Sequence, residues 1–207
     1  MAVKGDTGRV EVTDLDAGPL RQLSAWLDEA RAAGQPLPEA MTIATATSDG
    51  VPSARLVMLR GLQGGLAFFT DCDSGKGAEL AANPRAAAVL HWLAPVHRQV
   101  RVTGSAERVS EDEAGQYWSA RAPAVRLSAA ASRQSRVLAS RAALEAQARD
   151  IARRHRGGAG LPRPPRWGGF RVRPSHVEFW QESPDGLHDR IRYRQQGSGW
   201  IAERLSP

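Results

Sequence analysis

Apolar residues recur with helical spacing at Leu20, Leu23, Trp26, Leu27 and Ala30, and Gly34 ends the run, so the pattern predicts an amphipathic helix over residues 16–33. A linker with two prolines (35–39) follows, and the period then changes. Residues 41–47 read as a β-type segment closed by Ser48-Asp49-Gly50. Residues 55–60 and 66–70 are two more strands joined by Gly61, Gly64 and Gly65, and the three together are expected to form an antiparallel meander. Asp71 to Ser74 can cap a short helix over 75–82 that Asn83-Pro84 terminates. Residues 86–93 are strand-like, and 98–108 alternate cleanly, with Val100 and Val102 on one face and Gln99, Arg101 and Thr103 on the other. Ser110 with Glu113 forms a capping box that opens a helix to about residue 120. Residues 140–156 are a second, Ala-rich helical stretch, and 157–165 a Gly/Pro linker. Short strands are expected over 169–172, 176–181, 187–194 and 199–205. About eight strands and four helices predict a mainly β (α+β) fold, an antiparallel barrel or strongly curved sheet with peripheral helices. Residues 1–15 read as a flexible polar arm and 16–207 as one domain.

Composition narrows the classes. No apolar run approaches the ~20 residues of a membrane span, and the N-terminus lacks the basic-then-apolar order of a secretory signal, which predicts a soluble, cytoplasmic protein with no membrane partner. A single cysteine, Cys72, and five histidines without ligand spacing speak against disulfides and structural metal. The net charge is +6, and of 28 basic residues only Lys4 and Lys76 are lysine. Between residues 121 and 173 thirteen arginines face Glu145 and Asp150, a local balance of +11. That asymmetry is compatible with nucleic acid, or with a genome that uses Arg wherever Lys would serve.

Three constellations could carry chemistry. Tyr117 and Arg121, four apart on the expected helix, share a face on which a phenol and a guanidinium can converge on one anion; alone, such a pair is more often a solvated face. The strand-turn-helix from Thr70 to Lys76 resembles a phosphate cradle without being a Walker A motif, and can equally be an ordinary capped turn. Near the C-terminus, Val177-Glu178-Phe179-Trp180-Gln181 precedes Leu187-His188-Asp189-Arg190. There His188 and Arg190, two apart on a presumed strand, point to one face.

This last segment, with Gly186, resembles the C-terminal signature of the pyridoxamine 5'-phosphate oxidase family. The likeness extends through Arg55-Leu56-Val57-Met58-Leu59-Arg60, Phe68-Phe69-Thr70, Asn83-Pro84-Arg85, Arg98-Gln99-Val100, Tyr117 with Arg121, Ser132-Arg133-Gln134-Ser135 and Trp167-Gly168-Gly169-Phe170, covering roughly residues 20–207. The resemblance implies an FMN-binding split barrel with the flavin at a homodimer interface. It also implies an activity: oxidation of pyridoxine or pyridoxamine 5'-phosphate to pyridoxal 5'-phosphate, with oxygen as acceptor and hydrogen peroxide as by-product. By matching positions, Arg55, Lys76, Gln134 and Ser135 hold the FMN phosphate end or its surroundings. Met58, Phe69, Thr70 and Gln99 line the flavin, and Trp180 and Arg190 complete the pocket. Arg60 serves cofactor and substrate, Tyr117 and Arg121 receive the substrate phosphate, and His188 with Arg190 stands at the reacting ring. These two small phosphorylated ligands give the arginines a use other than nucleic acid.

Four positions depart from the family pattern. Gly75 stands where an arginine usually precedes the lysine, Arg60 replaces a lysine, Val125 replaces a serine at the substrate phosphate, and Gly186 replaces the signature arginine. Three of the four touch the substrate. They favour, as the alternative, an FMN oxidase of the same family acting on another ring compound in specialised metabolism, as in phenazine biosynthesis.

Overall fold

The computed structural model describes residues 9–155 and 160–207, so the first eight residues of the expected arm and positions 156–159, at the helix end and start of the expected linker, lie outside it. The first helix, α1 (Pro19–Ala32), buries Leu23, Trp26, Leu27 and Ala30 as its spacing requires. It closes one end of the core, where the Trp26 indole meets the Phe179 ring edge-on at 5.0 Å and 88°. An edge-to-face pair of this kind adds about 1 kcal/mol to the burial of both rings.

Strands β1 (Ala40–Ala46), β2 (Pro52–Met58), β3 (Leu66–Asp71), β4 (Arg85–Trp92), β5 (Arg98–Arg108), β6 (Trp167–Gln181), β7 (Asp189–Gln196) and β8 (Gly199–Arg204) form one antiparallel sheet in the order β2-β1-β4-β5-β6-β7-β8. Met41, Ile43, Ala88, Leu90, Val100, Val102, Val177 and Phe179 alternate inward, and the residues between them face outward. The expected meander is corrected in one respect. β1 and β2 pair, but β3 pairs along its whole length with β6. The chain just past β2 bonds to β3 where Arg60 N–H donates to Ala67 O and Ala67 N–H to Gly61 O. Beyond that pinch the barrel is open, and the functional cleft lies in the opening.

The two strands expected over 169–172 and 176–181 are one continuous β6. Its register against β5 shifts between Thr103 and Gly104, where Ser175 is left over. One extra residue reverses which side chains face the core: Phe170 and Val172 are buried before the bulge, Val177 and Phe179 after it. Gly104 is required there, because a Cβ would stand 1.9 Å from the Arg173 carbonyl oxygen. The bulge lets β6 serve β3 with one half and β7 with the other.

Helix α2 (Gly75–Ala82) follows β3 after Ser74, and α3 (Glu111–Ala120) starts at Ser110, whose hydroxyl accepts the Glu113 N–H. Helix α4 (Pro123–Ala131) was not expected from the periodicity, and α5 (Arg141–Arg154) packs against it. These helices cover a second, smaller core of Trp118, Leu161 and Trp167. Many arginines of the basic segment find carboxylates, including Arg163 with Glu111, Arg166 with Asp71, Arg171 with Glu113 and Arg154 with Asp150.

Candidate active site

The opening between β2 and β3 is a cleft of about 360 Å³ lined by Arg55, Met58, Arg60, Phe69, Thr70, Lys76, Tyr117, Arg121 and Gln134, with Leu56 and Val57. Four of these are cations and none is a carboxylate. An adjoining cavity of about 240 Å³ shares Phe69, Thr70, Arg121 and Gln134 and reaches Val125, Ser128, Ser132, Trp167 and Asp71, a carboxylate already paired with Arg166. Nine of the residues expected from the sequence therefore converge in one place.

Lys76 sits in the first turn of α2 and is only 6% exposed. Its ammonium donates to Gln134 Oε1 at 2.8 Å, Thr70 Oγ1 at 3.1 Å and Ser74 Oγ at 3.3 Å, all neutral acceptors. Burial, reinforced by the nearby Arg55 cation, pushes its pKa below the usual lysine range. Arg55 is held from beneath by Thr45, Ser53 and Glu79. Glu79 was not singled out from the sequence, although its place three residues after Lys76 on one helix puts both on one face. Ser135 does not line the cleft itself. It adopts φ +69° beside the first turn of α2, where a Cβ on Gly75 would lie 3.7 Å from its hydroxyl.

Tyr117 lies parallel to Phe69, with centroids 4.0 Å apart, and the Arg121 guanidinium covers the Trp167 ring at 4.9 Å. The expectation that Tyr117 and Arg121 share a helix face is corrected. α3 stops at Ala120, and Arg121 is its extended C-cap at φ −73°, ψ 144°. The turn into Pro123, rather than the helical period, brings the guanidinium back to the cleft. Its Nη1 is buried without a hydrogen-bond partner, and burial pushes its pKa down. A buried guanidinium nitrogen without a partner is costly unless an anion supplies the missing acceptor.

The remaining expected residues lie elsewhere. Gln99, Trp180 and Arg190 are direct cross-strand neighbours on the outward face of β5, β6 and β7. The row continues to His91 on β4, and β4 pairs β1, which pairs β2 with Ala40 opposite Met58, so Trp180 on β6 is four strand spacings from the cleft rim on β2, roughly 19 Å along the sheet. Arg190 donates to Glu178 Oε1 at 3.0 Å and to the Ser206 carbonyl at 2.9 Å. His188 precedes β7 rather than lying in it, a correction to the expected strand spacing, and packs on Trp180 at 4.9 Å. The Ser183 backbone N–H donates to His188 Nδ1 at 3.2 Å, which assigns the ring proton of the neutral imidazole to Nε2 and presents a donor outward. Gly186 has φ +76°, and nothing stands within 4 Å of a Cβ placed on it. The departure at 186 is therefore a turn requirement for glycine as well as a missing arginine. Among the described residues no group of three or more potential ligands could hold a metal, and no helix is long and apolar enough to cross a membrane.

A family model described as pyridoxamine 5'-phosphate oxidase matches residues 27–155, and one described as the pyridoxine 5'-phosphate oxidase C-terminal dimerisation region matches 167–207. The pyridoxine/pyridoxamine 5'-phosphate oxidase of Cupriavidus metallidurans is 48% identical over 197 residues, covering 94% of this chain and 92% of its own. That of Bordetella avium is 49% identical over 193 residues, covering 92% and 90%. Among solved structures, PhzG from Burkholderia lata 383, in complex with tetrahydrophenazine-1-carboxylic acid, superposes with a TM-score of 0.89 at 34% identity, covering 100% of this chain and 98% of that one.

Proposed function

The chain belongs to the pyridoxamine 5'-phosphate oxidase family, and from that premise we propose that it oxidises pyridoxine and pyridoxamine 5'-phosphate to pyridoxal 5'-phosphate. It is an FMN-dependent oxidase. The observation that carries the substrate reading is the cleft of four cations without a lining carboxylate, in which Lys76 is buried among neutral partners and Arg121 leaves one buried nitrogen unpaired.

The residues fit FMN. Lys76, Arg55 and Gln134 would hold its phosphate, with Ser135 shaping the loop, because a dianion supplies the negative charge that Lys76 lacks. Met58, Phe69 and Thr70 would flank the ring system. The chemistry FMN supplies when bound is acceptance of a hydride from the substrate CH2–OH or CH2–NH2 carbon and return of both electrons to oxygen as hydrogen peroxide. The alcohol becomes the aldehyde directly; the amine additionally consumes water and releases ammonia.

Arg121 and Arg60, with the Tyr117 hydroxyl, would bind the substrate phosphate. Arg121 then acquires the acceptor it is missing, which favours dianionic esters over free vitamers. His188 would orient the ring through Nε2–H, and Arg190, held by Glu178, would keep a fixed positive charge beside it. Gln99, Trp180, His188 and Arg190 cannot reach their own cleft, so the site is completed by the same face of a second copy. The dimerisation region contains the last three, and Leu56 on the outward face is 70% exposed in the single chain. These assignments make the protein a homodimer with composite sites.

The test is anaerobic addition of pyridoxine 5'-phosphate to the FMN-loaded protein. The yellow absorbance bleaches and returns with air; a protein that stays yellow at millimolar substrate sinks the reading. Gly186, Val125 and the likeness to PhzG support a second reading, an oxidase of a reduced phenazine carboxylate. It predicts bleaching by that compound and not by the phosphate ester.

A further inference from the structure

Asp189 stands between His188 and Arg190, yet its side chain turns into the protein and the residue is only 5% exposed. One carboxylate oxygen accepts the Val10 backbone N–H at 2.8 Å, and the other accepts Arg204 Nη1 at 2.6 Å. Arg204 Nη2 donates in turn to the Val10 carbonyl at 2.6 Å and to Glu11 at 3.0 Å. One ion pair thus satisfies both polar groups of a single backbone residue, and the Val10 side chain joins the core at 8% exposure. Further along, the Tyr193 hydroxyl donates to the Asp16 carbonyl at 2.7 Å, so residues 9–16 lie pinned across β7 and β8.

The residue before Val10 makes the connection to chemistry. Arg9 reaches Asp185 Oδ2 at 3.0 Å. Asp185 Oδ1 accepts from the Ser183 hydroxyl and the Leu187 N–H, and Gly186 N–H donates to the Ser183 carbonyl. This is the turn whose Ser183 N–H holds His188 Nδ1. An exposed arginine–aspartate pair contributes little by itself, so the arm needs a buried anchor to keep Arg9 in place.

We propose that Asp189 is a positioning residue: with Arg204 it docks the N-terminal arm at Val10 and thereby sets Arg9 on the turn that orients His188. Asp189 touches no reacting group in this arrangement and acts through its neighbours. The catalytic consequence rests on the role proposed above for His188; the docking itself does not.

The test uses the full-length, FMN-loaded protein and the variants Asp189→Asn, Arg9→Gln and their combination. In the parent, ¹⁵N spectra show a single His188 tautomer with Nδ1 unprotonated. Asp189→Asn mixes the tautomers and opens the Arg9–Val10 bond to trypsin at least about tenfold faster, since cleavage follows the open population. The turnover number falls about tenfold at unchanged FMN affinity, the scale of a slightly misplaced group. Arg9→Gln, a surface change that leaves the fold intact, mixes the tautomers in the same sense, and the double variant matches Asp189→Asn alone in its His188 spectra and turnover; the cleavage readout compares only the parent and Asp189→Asn, because Arg9→Gln removes the trypsin site. Parent-like His188 spectra in Arg9→Gln, or additive effects in the double variant, overturn the proposal, as does a drop in melting temperature with His188 unchanged. If the parent fails to oxidise the phosphate esters, the substrate reading fails while the spectra and the cleavage rate still decide this one.

Discussion

The cleft between β2 and β3 and the outward face of β5, β6 and β7 carry similar residues in opposite conditions. In the cleft, Lys76 has only neutral partners and Arg121 leaves a buried nitrogen unpaired. On the outward face, Arg190 is matched by Glu178 and His188 by a backbone N–H, and beneath it Arg204 is matched by the buried Asp189. The first region is electrostatically incomplete and therefore selective for anions. The second is internally satisfied and serves as a rigid platform. A binding site and a positioning surface differ less in residue type than in whether the protein has already supplied the counter-charge.

The largest effect expected from this contrast is at Lys76. Lys76→Ala should weaken FMN binding about 10- to 100-fold, corresponding to about 1.5–3 kcal/mol for a hydrogen bond to a charged group. Flavin fluorescence titration measures it. His188→Ala should leave the FMN affinity within about threefold while turnover falls, because it removes a substrate contact; equal losses of FMN from both variants would erase the distinction.

A change of sign is the sharper test. Arg121→Met should stabilise the apoprotein by about 1 kcal/mol, since it removes an unpaired buried donor, while abolishing saturation by the phosphate ester. Arg190→Met should destabilise by about 1–2 kcal/mol, because Glu178, 13% exposed, loses a partner. Urea denaturation of the two apo-variants compares them, and shifts of one sign would break the comparison.

Next in size is Gly186→Ala, which forces a Cβ into φ +76° and should lower stability by about 1 kcal/mol without touching FMN affinity. Its melting temperature is the readout. Smallest at neutral pH is Tyr193→Phe, which loses one neutral hydrogen bond, about 0.5 kcal/mol. Burial, then the Asp16 charge, pushes the Tyr193 phenol from 10.0 up to about 12. Folding therefore favours the neutral phenol. That contribution is complete below pH 10 and is lost as the pH rises from 10 towards 12. The phenylalanine variant should lack this alkaline step in a pH series of denaturation curves.

Much of the site was legible because its parts are local. Lys76 is bounded by Ser74 and Asn83, and α2 runs where those caps place it. Tyr117 and Arg121 meet as expected, but for a reason the spacing does not contain, the chain reversal at Pro123. Trp167 and Asp189 stand in the recognised motifs but without a role there, and Glu79 and Arg204 stand outside them; each matters through a partner distant in sequence. Helix α4 escaped because Pro123 to Ala131 has no strong apolar stripe, and only Ala131 is buried within it.

By itself the sequence determined the elements whose signal is periodic and contiguous: α1 from its 3.6-residue spacing, β5 from strict alternation, α2 from its caps, and the family from ordered motifs. Tertiary structure alone decided that β3 leaves β2 for β6, that Ser175 is a bulge reversing one strand, and that the site residues separate into a cleft and an outward platform. The reason is physical. Periodicity reports which side of an element is buried, whereas the choice of partner depends on burial and hydrogen bonding summed over segments about 100 residues apart.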